Sequence, residues 1–426
     1  MSSSVSAPAR GTSVVFLLMP FALAYGVSYF FRNVNAVAGP LLAREFSMGP
    51  AELGLLTSAY FFAFSVVQIP LGMALDRYGP ARVNAVMALL GACGALCFGL
   101  AQDVATLGLG RALMGLGSGA ALMASMSAVH VWVRREKVAT SIGFIMCVGG
   151  AGALAASTPT QLAIDAIGWR NMFFVLAAFG AVFAVWVYST KAHIEPVAQA
   201  QTLKQLAAGV VEVFASRPFW LVCLPLMLTL GTMLAFQSLW AATWMRDVAG
   251  FEDKEAIGNV LFGLNLGMTL SFLLAGWSAE KFLRYGISQL GALKIYFVLA
   301  FAAQAWLMAA PTFLPHVAWG FFAFAANALV LAYALLASWF PPALTGRVNT
   351  AVNVLCFSMA FFLQFSVGAL LNRYPATAGH YAAAGYYTAW ITLVVLQVAA
   401  FAWMVYRVRA PDPAHKPPLH HINAPK

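Results

Sequence analysis

Apolar runs of about twenty residues recur along the whole chain, and each is long enough to cross a bilayer as a helix. Twelve such spans are read, at 13–38, 51–74, 83–101, 105–132, 140–166, 169–190, 219–245, 256–279, 289–309, 315–339, 347–371 and 385–407. A membrane β-barrel would instead alternate apolar and polar residues in strands of about ten, and that alternation is missing. The widest polar break lies between the sixth and seventh spans, at 191–217. Within it Leu203, Leu206, Val210, Val211 and Phe214 recur at helical spacing opposite Lys204 and Glu212, which predicts an amphipathic helix lying at the membrane surface. The predicted architecture is an all-α membrane protein. Residues 1–190 form one six-helix bundle, 191–217 a linker, 218–410 a second bundle, and 411–426 a Pro- and His-rich tail.

The two halves share more than a helix count. Gly72-Met-Ala-Leu-Asp76-Arg77-Tyr78-Gly79 follows the second span, and Gly276-Trp-Ser-Ala-Glu280-Lys281 closes the eighth, with Arg284 and Gly286 close behind. In both, three residues separate the glycine from an acid, and a base follows the acid. The copies lie 204 residues apart, about half of the 426-residue chain. A motif repeated at half-length in a membrane protein points to two related, pseudo-symmetric bundles, as in secondary transporters.

Composition sharpens the class. The chain is 62% hydrophobic and only 9% charged, with mean hydropathy +0.81, against about a quarter charged in soluble proteins. The net charge of +10 does not indicate nucleic acid, because the bases are distributed as a topology signal. Seventeen of the 24 Lys and Arg residues fall at one end of the predicted bundle and five at the other, with Arg32 and Arg111 inside spans. The base-rich end, which carries both termini, is expected to be cytoplasmic. The Ser-rich start before Val14 reads as a short tail rather than a cleavable signal peptide. The expected location is the cell's inner (plasma) membrane. The five cysteines form no C-x-x-C and read as small buried hydrophobes. The seventeen methionines show no M-x-x-x-M pairing within a span, and His415, His420 and His421 read as part of a solvated tail. No metal and no cofactor is therefore expected.

On these residues the chain resembles the major facilitator superfamily over nearly its full length. Gly72, Asp76, Arg77, Gly79 and Arg82 match that superfamily's G-x-x-x-D-R-x-G-x-x-R motif, and Glu280 and Lys281 hold the degenerate second copy. Residue chemistry fits a gate at this end: Gly72 permits close helix approach, and Asp76 can pair with a base or a helix N-terminus. A narrower resemblance is to the organic-anion branch, the anion:cation symporters. The first span holds Tyr29-Phe-Phe-Arg32-Asn33, then Ala38 and Pro40, and the fourth holds Arg111, Gly115 and Ser118 in the place of R-x-x-x-G-x-x-E. The resemblance implies that Arg32 and Arg111 bind the substrate's negative charge. The acids of the pattern are replaced: Phe31 stands where an Asp would be, and Ser118 where a Glu would be. Proton coupling through those carboxylates is thus put in doubt, which favours uniport or anion exchange.

A base in hydrocarbon is expensive unless paired or hydrated. Arg32 and Arg111 each lie about six residues from the base-poor end of their spans, about 9 Å deep at 1.5 Å per residue. Helical spacing groups Tyr25, Tyr29 and Arg32 on one face. No acid lies at their depth; Asp165, near Arg170, sits at the end of its span. The second half offers neutral groups: Gln237, Trp240 and Trp244 at i, i+3, i+7, Asn265, Asn327, Tyr333, Asn349 and Asn353. These either contact substrate or fasten helices together, and the two indoles suit a lipid-interface belt equally well. The candidate substrate site is Arg32, Arg111, Tyr25, Tyr29, Gln237, Trp240, Asn327 and Asn353.

The expected function is transport of a small organic anion by alternating access, through a monomer whose partners are that substrate and the bilayer. Efflux of lipophilic compounds is the alternative, although the glycines and Thr158-Pro159-Thr160 of the fifth span lack the Gly-Pro efflux pattern. A nitrate-type carrier would need arginines in the second and eighth spans, where none stands. An enzyme is not expected, since the spans hold no H-E-x-x-H, nucleotide loop or catalytic acid pair.

Overall fold

The structure is a computed structural model that describes residues 14–133, 137–190, 209, 211–309, 312–341, 344–375 and 380–408. Most of the predicted linker helix and the whole 411–426 tail, with its three histidines, lie outside the described residues.

Every predicted span is helical. Among the described residues, ten helices are long and apolar enough to cross a membrane, and a bent pair, Thr140–Ala155 with Thr158–Ile167, makes an eleventh. The remaining span is Val14–Asn33 followed by Asn35–Glu45. Several helices overrun their predicted ends: the second runs Pro50–Tyr78 and the eighth Lys254–Arg284. Backbone hydrogen bonding continues past the apolar stretch, so hydropathy marks only the part in hydrocarbon. Local chemistry sets the starts. Asp103 caps the fourth span by accepting from the Thr106 N–H at 2.8 Å, and Asp253 caps the eighth through the Glu255 and Ala256 N–H groups. Gly79 and Gly286 follow the two motif helices with φ of +80° and +78°, a left-handed turn that glycine adopts without strain.

Some spans are broken, each for a local reason. The fifth bends by 48° before Pro159, which has no N–H to give the Ala155 carbonyl; the Thr160 hydroxyl donates to that carbonyl instead, at 2.7 Å. The fourth breaks at Gly119–Ala120 and the tenth at Leu329–Val330, equivalent places in the two halves. The seventh runs Arg217–Ala235, then a π-helical turn Phe236–Trp240, then Ala241–Asp247.

The bundles meet along a seam on the base-poor side. Phe64 of the second span lies 4.2 Å, centroid to centroid, from Phe357 of the eleventh. Further out, a Cβ on Gly54 would come within 2.9 Å of the Gln364 carbonyl, and one on Gly368 would fall on the Pro50 carbonyl. Between the fifth and eighth spans, the Thr158 hydroxyl donates to Asn259 Oδ1 at 2.9 Å, and Lys254 sits 3.9 Å from Asp165. Arg170, expected near Asp165, pairs with Glu45 at 2.6 Å, while Asp165 accepts from Gln161 at 2.9 Å. The first-span helix carries Glu45 that far because it runs seven residues beyond its predicted end. At the base-rich end, a Cβ on Gly72, Gly276 or Gly346 would meet nothing within 4 Å. In this conformation Gly72 makes no close helix approach.

Candidate functional site

Tyr25, Tyr29 and Arg32 share a face of the first span, as their spacing requires. The Tyr25 hydroxyl donates to the Tyr29 hydroxyl at 3.3 Å, and the Arg32 guanidinium carbon lies 4.4 Å from the Tyr29 ring centroid. Two rings from opposite bundles complete the surroundings: Phe357 at 4.8 Å and Phe64 at 5.7 Å. Cation–π contact of this kind stabilises a cation by about 0.5–2 kcal/mol, far less than water does. Arg32 is 5% exposed, and its Nε has no hydrogen-bond partner. Among the described residues no carboxylate pairs with it.

Arg111 is held differently. It is fully buried, its Nη1 donates to the Phe31 carbonyl at 2.6 Å, and its guanidinium lies 5.2 Å from the Tyr60 ring. Its Nε and Nη2 are unpartnered. The Phe31 carbonyl sits just ahead of the break between the two helices of the first span, where a helix needs an outside donor. Tyr60, which also donates to the Ser28 carbonyl one turn before Arg32 at 3.1 Å, ties the two arginine-bearing spans together. Sequence reasoning missed it, together with Phe64 and Phe357, because an aromatic in an apolar run carries no distinguishing signal.

The second-half residues do not converge as a 3.6-residue period predicts. The π turn inserts an extra residue per turn and sends three neighbours in three directions. Gln237 donates to Asn265 Oδ1 at 2.7 Å, and Asn265 in turn donates to the Ala153 carbonyl of the first bundle at 2.9 Å. Trp240 donates to the Gln364 carbonyl at 3.1 Å, against the seam. Trp244 stacks with Trp319, edge to face, at 5.4 Å. Trp240 and Trp244 are 0% and 1% exposed, so neither forms a lipid-interface belt. Asn353 accepts from the Tyr333 hydroxyl at 2.9 Å, and Asn327 is buried with Nδ2 unpartnered.

Of the gate motif, the backbone of Asp76 is helical and its side chain lies outside the described residues. Arg77 lies 5.3 Å over the Tyr78 ring, and Lys281 lies 4.1 Å over the Trp277 ring. At the opposite end, the fully buried Asp247 carboxylate is bound by Arg246, His380, the Tyr381 N–H and the Tyr386 hydroxyl. Burial pushes the nearby Tyr381 hydroxyl above its ordinary pKa.

Two pseudo-symmetric bundles of long apolar helices define the fold class of a membrane transporter. The family model of the Major Facilitator Superfamily matches residues 21–364, and the chain belongs to that family, whose members are transporters and not enzymes. The probable sulfoacetate transporter SauU of Cupriavidus necator is 28% identical over 170 residues, 40% of this chain and 39% of that protein. The hexuronate transporter of Escherichia coli K12 is 26% identical over 279 residues, 61% of this chain and 63% of that protein. The match thus spans less than two thirds of either relative's length. Among solved structures, a bacterial homologue of the human lysosomal transporter Spinster, inward-facing and unoccupied, shares the fold with TM-score 0.72 at 18% identity, covering 93% of this chain and 97% of that one.

Proposed function

We propose that the protein carries a small organic anion across the inner membrane by alternating access, with both termini cytoplasmic and the monomer as the working unit. The observation that carries this reading is Arg32: a buried guanidinium between the bundles, with an unpartnered Nε and no carboxylate in reach among the described residues. Such a charge is costly until an anion neutralises it, so a site built on it selects for negative ligands. Relatives named as sulfoacetate and hexuronate transporters support the anionic class. Arg32 makes the contact. Arg111, tied to the Phe31 carbonyl, positions the helix that presents it. Tyr25 and Tyr29 line the same face, while Gln237, Trp240 and Asn353 bond other protein groups and support the second bundle rather than contact the anion. The seam near Phe64 and Phe357 and the empty space beside Gly72 and Gly276 suit an inward-facing state. The motif Gly72, Asp76, Arg77, Gly79, Arg82, Glu280 and Lys281 then closes the cytoplasmic side in the opposite state. With Phe31 and Ser118 in place of carboxylates, uniport or anion exchange fits better than proton coupling.

A thermal-shift panel on purified protein, wild type beside Arg32→Gln, tests the reading. A ligand at a hundredfold excess over its Kd stabilises by roughly 2.7 kcal/mol. Acids should raise the melting temperature of wild type and not of the variant. Shifts confined to neutral or cationic compounds would establish the lipophilic-efflux reading instead.

A further inference from the structure

We infer that the carried anion has a single negative group on an apolar body, an aromatic or short aliphatic monocarboxylate, rather than a polyhydroxy acid or a dianion. This rests on Arg32 being the anion contact. Three observations lead to it.

The first is the number of reachable bases. Arg111 has no exposed surface and spends its Nη1 on the Phe31 carbonyl. One guanidinium therefore meets the ligand, and a second negative group would be desolvated without a partner.

The second is the wall. Tyr29, Phe357 and Phe64 surround the Arg32 guanidinium, and Phe272 meets the Tyr29 ring at 6.1 Å. A carboxylate bonded to Arg32 directs its carbon skeleton against ring faces and edges. These offer an apolar body good packing and leave a hydroxyl without a partner.

The third is the state of the neutral polar groups across the seam. A sugar acid needs several free donors and acceptors to replace the water it loses. Instead Gln237 donates to Asn265, Tyr333 donates to Asn353, and the Tyr25 hydroxyl donates to that of Tyr29. Among the described residues, the buried atoms left unpartnered in the second half are single atoms scattered over five spans: Thr229 Oγ1, Gln237 Oε1, Ser271 Oγ, Asn327 Nδ2, Asn349 Oδ1 and Trp390 Nε1. A polyol would have to break existing pairs and gain little by the exchange.

The test is thermal-shift titration of the full-length protein with benzoate, butyrate, glucuronate, sulfoacetate and, as a neutral control, benzyl alcohol. Wild type, Arg32→Gln, Phe357→Ala and Phe357→Leu are compared. Benzoate and butyrate should bind at least tenfold more tightly than glucuronate and sulfoacetate, and all acid binding should vanish in Arg32→Gln. Loss of the Phe357 ring should weaken benzoate by roughly tenfold, and butyrate less. Phe357→Leu keeps the apolar volume and reads the same loss should Phe357→Ala fail to fold. Glucuronate or sulfoacetate binding as tightly as benzoate, and depending on Arg32, would overturn this inference and leave the anion reading standing. Benzyl alcohol matching benzoate, acid binding that survives Arg32→Gln, or no shift with any acid would overturn both.

Discussion

The first and seventh spans occupy equivalent places in the two halves, yet they bury polar chemistry of opposite character. In the first, Arg32 keeps an unpartnered nitrogen among aromatic rings, as does Arg111 beside it on the fourth. In the seventh, Gln237 and Trp240 have found protein partners in Asn265 and the Gln364 carbonyl. Helix interruption accompanies both: a break between Asn33 and Asn35 in one, a π turn in the other. Single neutral atoms stay unpartnered in the second half too, but only the first half buries an unpaired charge, which costs far more than an unpaired amide atom, and that charge is what marks the first half as the one proposed to bind the anion.

The comparison breaks first on Arg32. Arg32→Gln should cut anion uptake in proteoliposomes by about a hundredfold or more, the penalty for removing one partner of a buried charge contact. It should leave the ligand-free melting temperature unchanged or higher, because an uncompensated charge is removed. Arg111→Gln should also depress uptake, but with a lower melting temperature, since the Phe31 carbonyl loses a charged donor worth about 1.5–3 kcal/mol. Equal melting-temperature changes in the two variants would erase the distinction between contact and support.

Next in size is the seam. A side chain at Gly368 meets the Pro50 backbone, which has no freedom to yield. Gly368→Val should therefore pry the base-poor side open and lower uptake roughly tenfold by disfavouring the inward-facing state. Accessibility of a cysteine placed at Asn372, which faces Gly49 across the seam, to an impermeant thiol reagent should rise in parallel. Unchanged labelling would show that the seam does not set the conformational balance.

Which of these features could be read from sequence follows from their range. Runs of about twenty apolar residues marked the spans, and period-3.6 spacing placed Tyr25, Tyr29 and Arg32 on one face, because both are local properties of the chain. The half-length motif repeat was legible for the same reason, and Gly79 and Gly286 share its backbone turn. The π turn was not legible. It shifts Gln237, Trp240 and Trp244 out of the phase that their spacing implies, and no residue type marks it. Nor was the aromatic enclosure of Arg32, since Phe64 and Phe357 lie far apart in the chain and meet only when the bundles close.

Smaller effects separate scaffold from site. Gln237→Ala removes the bond to Asn265 and should cost about 1 kcal/mol of stability, in line with polar contacts inside membranes. Its effect on the substrate KM should stay within about threefold, as expected of a residue that binds protein rather than ligand. A tenfold rise in KM with an unchanged melting temperature would move Gln237 into the binding site and weaken the contrast between the halves.

The smallest expected effect tests the missing carboxylate. The Ser118 hydroxyl donates to the Met114 carbonyl at 2.8 Å, and Ser118 lines a small cavity behind the first span with Ser28, Gly117 and Asn84. Asn84 is buried with Nδ2 unpartnered, so it can donate to a carboxylate placed there. Ser118→Glu should therefore be tolerated. When ionised, the new carboxyl adds a negative charge on the arginine-bearing span, and when protonated it does not. Uptake should accordingly become a few-fold faster at pH 5.5 than at pH 7.5, where wild type varies little. A profile that stays flat in the variant would separate position 118 electrically from Arg32 and confine the anion's electrostatics to the face shared by Tyr25, Tyr29 and Arg32.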